Sequence, residues 1–196
     1  MPDQGFGQTP ASALLTLPNI ISFARLCAVP LAVWLVLHGR YGVAFTLFVI
    51  AGISDAIDGW LARRRGGTML GAALDPLADK TLMIGMYVTL AATSQLPDWL
   101  AILVVFRDLL IVGGLVLLWL TGHAAAIQPL RISKWNTALQ IGLVALVLGL
   151  DAAGLMLEPL RTGMIWLVAV STLLSGAAYV RRTVQPAPSP ARLPLE

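Results

Sequence analysis

Apolar runs about twenty residues long, separated by short polar turns, dominate this chain. Six can be drawn, at roughly 19–38, 42–62, 71–93, 97–120, 134–152 and 160–180. A helix needs about 20 residues to cross the hydrocarbon core of a bilayer. Only helices or closed barrels satisfy their backbone groups there. Gly39-Arg40-Tyr41-Gly42, residues 63–68 and residues 94–97 read as turns, residues 121–132 as a longer connection with His123 and Pro129, and residues 150–159 as the close of the fifth run. The pattern predicts an all-α, polytopic membrane protein with six transmembrane helices. One membrane domain is expected over 15–182, between a polar tail at 1–14 and a proline-rich tail at 183–196, both without fixed structure.

Lysine and arginine orient these spans, because cytoplasmic loops carry the excess of both. With the N-terminus in the cytoplasm, six spans give that side Arg63, Arg64, Arg65, Arg131, Lys134, Arg181, Arg182 and Arg192, and the other side only Arg40 and Arg161. Both termini are therefore expected to be cytoplasmic, with the segment 55–80 at the cytoplasmic surface of the inner membrane. The first dozen residues carry no positive charge, so no cleaved leader is expected.

Composition agrees. Hydrophobic residues make up 58% of the 196 and charged residues 12%, against about 25% charged in a soluble domain. The net charge of +3 fits topology and anionic lipid rather than nucleic acid, since the arginines lie between apolar runs. Cys27 has no second cysteine to pair with and reads as a small buried hydrophobe.

Acidic residues are scarce, ten in all, yet Asp55, Asp58, Asp75 and Asp79 fall within 25 residues. The first pair is spaced by three near the end of the second run, the second by four near the start of the third. Each pair shares a helix face, and a short turn would make the helices antiparallel neighbours. Charges at membrane depth cost about 2.5–3.5 kcal/mol each, so four carboxylates call for bound cations. Oxygen-only ligands suit Mg²⁺ or Mn²⁺, and two such ions clamp a displacement at phosphorus. Gly59 and Gly71 leave room on the acidic face, Arg63 can reach a phosphate, and Gly66-Gly67-Thr68 adds a flexible turn with a hydroxyl. Together they describe a nucleoside-diphosphate site at a lipid surface. Asp98, Asp108 and Asp151 lack this context, and Asp98 and Asp151 read as interfacial caps.

The segment from Asp55 to Asp79 carries every fixed position of D-x-x-D-G-x-x-A-R-x(n)-G-x-x-x-D-x-x-x-D, with seven residues between Arg63 and Gly71. It resembles the signature of the CDP-alcohol phosphatidyltransferases, and the likeness covers roughly residues 15–182. The resemblance implies that Asp55, Asp58, Asp75 and Asp79 hold two metals and that Asp79 also deprotonates the acceptor hydroxyl. It further implies that Gly59, Arg63 and Thr68 contact the CDP part of CDP-diacylglycerol and that Gly71 lines the cytidine pocket. Pro18-Asn19-Ile20-Ile21-Ser22-Phe23-Ala24-Arg25 is similar to the family's opening helix. Asn19 and Ser22 are then expected at the edge of the nucleotide site, while Arg25 serves either there or as partner to an acid. A homodimer is implied as well, although Gly113-Gly114 and Gly142 suit packing within one chain equally.

Two patches bear on the acceptor. Arg107 lies mid-span and Lys134 opens the fifth run, and both are expected to grip an acceptor phosphate, the alternative for Arg107 being an ion pair with a motif aspartate. The 133–140 run and Arg107-Asp108 resemble the CMP-forming cardiolipin synthases of the family, so phosphatidylglycerol is the expected acceptor and glycerol 3-phosphate the alternative. Two non-enzyme readings remain beside these, a divalent-cation transporter or channel and an inactive membrane scaffold. Transport would spread acids along several spans, whereas these gather at one surface. A scaffold would leave the carboxylates uncompensated.

Overall fold

A computed structural model describes residues 17–65, 69–120 and 131–184, with side chains at 21, 23–55, 78–114 and 132–181. Those residues form six helices and no strand: α1 Leu17–Leu37, α2 Tyr41–Arg65, α3 Met69–Ala92, α4 Asp98–Leu120, α5 Arg131–Ala153 and α6 Glu158–Val184. Each expected run is a helix, its ends shifted by a few residues. The expected tails and the 121–130 connection lie outside the described residues, except that α6 continues to Val184.

The helices close into a ring. Around it α1 packs on α3, α3 on α4, α4 on α6, α6 on α5, α5 on α2 and α2 on α1, while α3 also touches α5 across the centre. Among the described residues, then, α1 is the shared neighbour of α2 and α3, which the sequence pattern had set face to face. Met86, Tyr87 and Leu90 of α3, Leu100 of α4 and Leu143, Val144, Val147 and Leu148 of α5 are fully buried in one core. The Tyr87 hydroxyl donates to the Gln140 carbonyl at 3.2 Å and ties α3 to α5.

Outside the core the usual polarity is inverted. Leu31 and Trp34 of α1, Ile50 of α2, Ile102 and Phe106 of α4 and Leu173 of α6 are exposed, whereas Arg25, Arg107, Asp108, Asn136 and Gln140 are buried. Water would not tolerate so broad an apolar surface. Ile132–Ala153 and Glu158–Arg181 are each long and apolar enough to cross a membrane, and Phe23–Leu37 and Tyr41–Asp55 are shorter apolar helices. The exposed face of α1 corrects the expectation for Cys27. Phe23, Cys27 and Leu31 lie one turn apart and all point outward. A uniformly apolar helix does not announce which face meets the core.

The three described turns share one end of the bundle and one construction. Gly39, Ser94 and Gly154 have φ of 67°, 59° and 64°. In each case the next amide donates to the carbonyl five residues back: Arg40 to Leu35 at 2.8 Å, Gln95 to Leu90 at 2.8 Å and Leu155 to Leu150 at 2.9 Å. These left-handed caps satisfy carbonyls that a helix end would strand. Gly114 serves packing within the chain, since a Cβ there would sit 2.7 Å from the Tyr179 hydroxyl oxygen, while Gly113 faces open space.

Candidate active site

At the end opposite those turns, a belt of polar side chains crosses the bundle with a contribution from every helix. It begins on α1, where the Arg25 guanidinium has a side chain only 2% exposed. Its Nη1 donates to Asp55 of α2 at 2.9 Å and to Asp79 of α3 at 2.6 Å. Two carboxylates from different helices thus converge on one nitrogen. Their side chains are 43% and 41% exposed, so the pair opens outward while the arginine closes it from within.

The belt continues on the next residue of α3. Lys80 Nζ donates to Asp108 Oδ2 of α4 at 2.5 Å, and Arg107 Nη1 donates to Asp108 Oδ1 at 2.8 Å. Arg107 Nη2 then donates to Ser133 of α5 at 2.6 Å and to Ser175 of α6 at 2.5 Å. One helical turn further along α5, Asn136 Oδ1 accepts from Ser171 at 2.7 Å and Thr172 at 2.9 Å. Low dielectric makes such a network costly unless it is satisfied. Its buried Arg107 Nε and Asn136 Nδ2 have no hydrogen-bond partner among the described residues.

The structure brings together some of the expected site residues and not others. Asp55 and Asp79 meet, and Arg25 takes the role of partner to an acid. Among the described residues Arg107 is held by Asp108 and two serines. Lys134, in the first turn of α5, is exposed and makes no ion pair among the described residues. Asn19, Ser22, Asp58, Gly59, Arg63, Gly71 and Asp75 lie on described helices, but their side chains fall outside the described residues, as Thr68 does altogether. Lys80 carries no signal in the sequence pattern, and Asp108, which lacks the motif's context, is its partner. Asp151 is not a cap but accepts a hydrogen bond from Arg161 across the α5–α6 turn. An acid and a base flanking a helical hairpin was the available signal.

Asp55 and Asp79 suit a hard divalent ion. Their donor set is oxygen only, they approach from separate helices, and their open side admits an ion. Among the described residues they make a pair rather than a group of three or more possible ligands.

The sequence profile of CDP-alcohol phosphatidyltransferases matches residues 15–174. The chain belongs to that family. Its members are generally dependent on a divalent metal. Over 182 residues the chain is 34% identical to a protein of Schizosaccharomyces pombe named "Cardiolipin synthase (CMP-forming) / mitochondrial hydrolase fusion protein", covering 85% of this chain and 31% of that one. It is 36% identical over 184 residues to the chloroplastic "CDP-diacylglycerol--glycerol-3-phosphate 3-phosphatidyltransferase 1" of Oryza sativa, covering 84% and 56%. It is 31% identical over 163 residues to the "CDP-diacylglycerol--glycerol-3-phosphate 3-phosphatidyltransferase" of Cereibacter sphaeroides, covering 77% and 71%. The chain spans less than two thirds of the length of the fungal and plant relatives. The relatives of this family member thus carry the names of both a cardiolipin synthase and a glycerol-3-phosphate phosphatidyltransferase.

Proposed function

We propose that this chain transfers the phosphatidyl group of CDP-diacylglycerol to an alcohol, with release of CMP, at the cytoplasmic face of an inner membrane. The observation that carries the reading is the convergence of Asp55 and Asp79 on Arg25, inside a segment that holds the complete family signature. Six spans with both termini cytoplasmic follow from the sorting of Lys and Arg about the six helices. Exposed Trp34, Trp99 and Trp166 toward the opposite end suit an interfacial aromatic belt.

The chemistry is a substitution at phosphorus. The acceptor hydroxyl oxygen bonds to the phosphorus that bears diacylglycerol, and the bond from that phosphorus to the CMP oxygen breaks. Asp79 receives the hydroxyl proton, and CMP departs with the bonding pair. Asp55, Asp58, Asp75 and Asp79 would hold two divalent ions, which when bound supply charge stabilisation to the phosphates. Arg25 holds Asp55 and Asp79 in register and offsets part of their mutual repulsion. Gly59, Arg63, Thr68 and Gly71 receive the CDP part, with Asn19 and Ser22 at its edge, and Arg107 and Lys134 serve the acceptor. The catalytic domain is 15–182, and the chain acts as a homodimer.

Phosphatidylglycerol is the acceptor that best fits the Arg107-Asp108 pair and the 133–140 run, which makes the product cardiolipin. Glycerol 3-phosphate is the second reading, favoured by the names of the Oryza and Cereibacter relatives. The test supplies purified full-length chain with magnesium, CDP-diacylglycerol and each acceptor in turn. Mass spectrometry then identifies the lipid, and CMP is quantified. Cardiolipin with stoichiometric CMP is expected. Magnesium flux across vesicles without any CMP release would instead support a cation transporter and overturn the proposal.

A further inference from the structure

The second half of the polar belt has an uneven charge count. Lys80, Asp108 and Arg107 bring two cations and one anion to the place where side chains of α3, α4, α5 and α6 are hydrogen-bonded together. Asp108 is 3% exposed, and each of its oxygens takes one cation: Oδ2 the Lys80 ammonium at 2.5 Å and Oδ1 the Arg107 guanidinium at 2.8 Å. Arg107 is 4% exposed, and both its terminal nitrogens are engaged by Asp108, Ser133 and Ser175. Lys80 differs. Its side chain is 35% exposed, and an ammonium has three N–H groups, of which Asp108 takes one. It also follows Asp79 directly, so the group proposed to accept the hydroxyl proton and the accessible cation leave α3 about 100° apart.

Resting on the proposed phosphatidyl transfer, we infer that Lys80 contacts the acceptor phosphate and that Asp108 is the residue that sets which phosphate is preferred. Both acceptor classes carry the attacking hydroxyl and the phosphate on one glycerol unit. With the hydroxyl at Asp79, the phosphate falls on the neighbouring face of α3, where Lys80 stands. Within the Lys80–Asp108–Arg107 cluster, with Lys134 exposed outside it on α5, Asp108 cancels one of the two positive charges and leaves +1. A phosphodiester carries one negative charge and matches it. A phosphomonoester carries up to two near neutral pH and would be left with an uncompensated charge beside lipid, where screening is weak. Asp108 touches no substrate in this account. It is a positioning residue that works by holding Lys80 and by its own charge.

The experiment measures kcat/KM for glycerol 3-phosphate and for phosphatidylglycerol with the full chain, CDP-diacylglycerol and magnesium. The readout is the ratio of the two. Asp108→Asn raises the local charge by one, and the ratio is expected to move about tenfold toward glycerol 3-phosphate, or ~1.4 kcal/mol. Lys80→Gln lowers it by one, and the ratio is expected to move about tenfold the other way. Asp108→Glu restores the charge and keeps the ratio within about threefold of the parent. A merely structural role would lower both activities together and leave the ratio still. Because Lys80 is partly exposed, Lys80→Gln folds even if Asp108→Asn does not, and its ratio then decides alone. An unchanged ratio in Lys80→Gln, or shifts of the same sign in both variants, overturns the inference while leaving the transferase reading intact. A parent chain that releases no CMP with either acceptor overturns both.

Discussion

Two arginines hold opposite ends of this bundle, and they leave the acids around them differently exposed. Arg161, at the end with the tight turns, pairs with Asp151 of α5, donates to Gln95 beyond α3 at 3.1 Å, and lies 4.0 Å from the exposed Glu158. Gln95 in turn donates to the Tyr41 hydroxyl of α2 at 3.3 Å. A single well-buried pair is extended there by neutral partners, and four segments are locked together. Arg25, at the other end, serves two carboxylates, each more than two fifths exposed, within a motif that contributes two further aspartates. One end is closed: its arginine meets one buried acid, Asp151, and leaves Glu158 to water. The other stays open: its buried arginine holds two acids that are both partly exposed. Burial of an arginine alone therefore does not mark a site. What marks it is how open the acids around the arginine remain.

The strongest way to break this comparison is at the open end. Asp79→Asn keeps an oxygen for Arg25 and the same shape, but it cannot take a proton. Loss of a positioned general base costs about 10²–10⁴-fold, so CMP release should fall by that much, while helicity by circular dichroism and the melting temperature stay near the parent's. Normal turnover would remove Asp79 as base and would make the open end as inert as the closed one.

The two arginines can also be set against each other. Breaking a buried ion pair costs about 3–5 kcal/mol. Around Arg25 the exposed carboxylates reduce that to about 1–3 kcal/mol. Arg161 sits in the better-buried pair, so Arg161→Gln is expected to cost about 2–4 kcal/mol, with CMP release by the folded protein within about twofold of the parent. Magnesium separates the variants. It should recover most of the melting temperature lost in Arg25→Gln, because a divalent ion replaces the missing cation between Asp55 and Asp79, and none of that lost in Arg161→Gln. Equal recovery in both, read by thermal unfolding with and without magnesium, would erase the distinction between the ends.

The sequence carried the six helices and the acid motif because both are written at short range. Apolar runs and offsets of three and four need no tertiary knowledge. It carried much less of the belt that joins the helices. Arg25 stands 30 and 54 residues from its two acids, and Lys80 stands 28 from Asp108. Such pairings depend on the order of helices around the ring, which hydrophobicity does not encode when every face is apolar. For the same reason the packing of α1 on both α2 and α3, and the outward face of Cys27, were not legible. The Asp151–Arg161 pair was different, since a hairpin between flanking charges can be read directly from the chain.

The smallest effect expected belongs to the closed end. Ser94 holds φ of 59° at the cap between α3 and α4, a conformation that costs a side chain about 1–2 kcal/mol. Glycine would remove that cost but lose about 0.5–1 kcal/mol through its freedom in the unfolded chain. Ser94→Gly should therefore gain no more than ~1.5 kcal/mol, a rise in melting temperature of at most about 3–6 °C for a chain of this size. Ser94→Val, with a branched side chain ill suited to positive φ, should lower it by at least as much. Neither change should alter CMP release by the folded protein, because Ser94 only sets the direction of Gln95, and Gln95 reaches Arg161 and Tyr41 rather than the acid pair. If release fell in Ser94→Val under conditions where the protein remains folded, the lock at one end would be transmitting to the chemistry at the other. The two ends would then be one mechanical unit rather than a scaffold and a site.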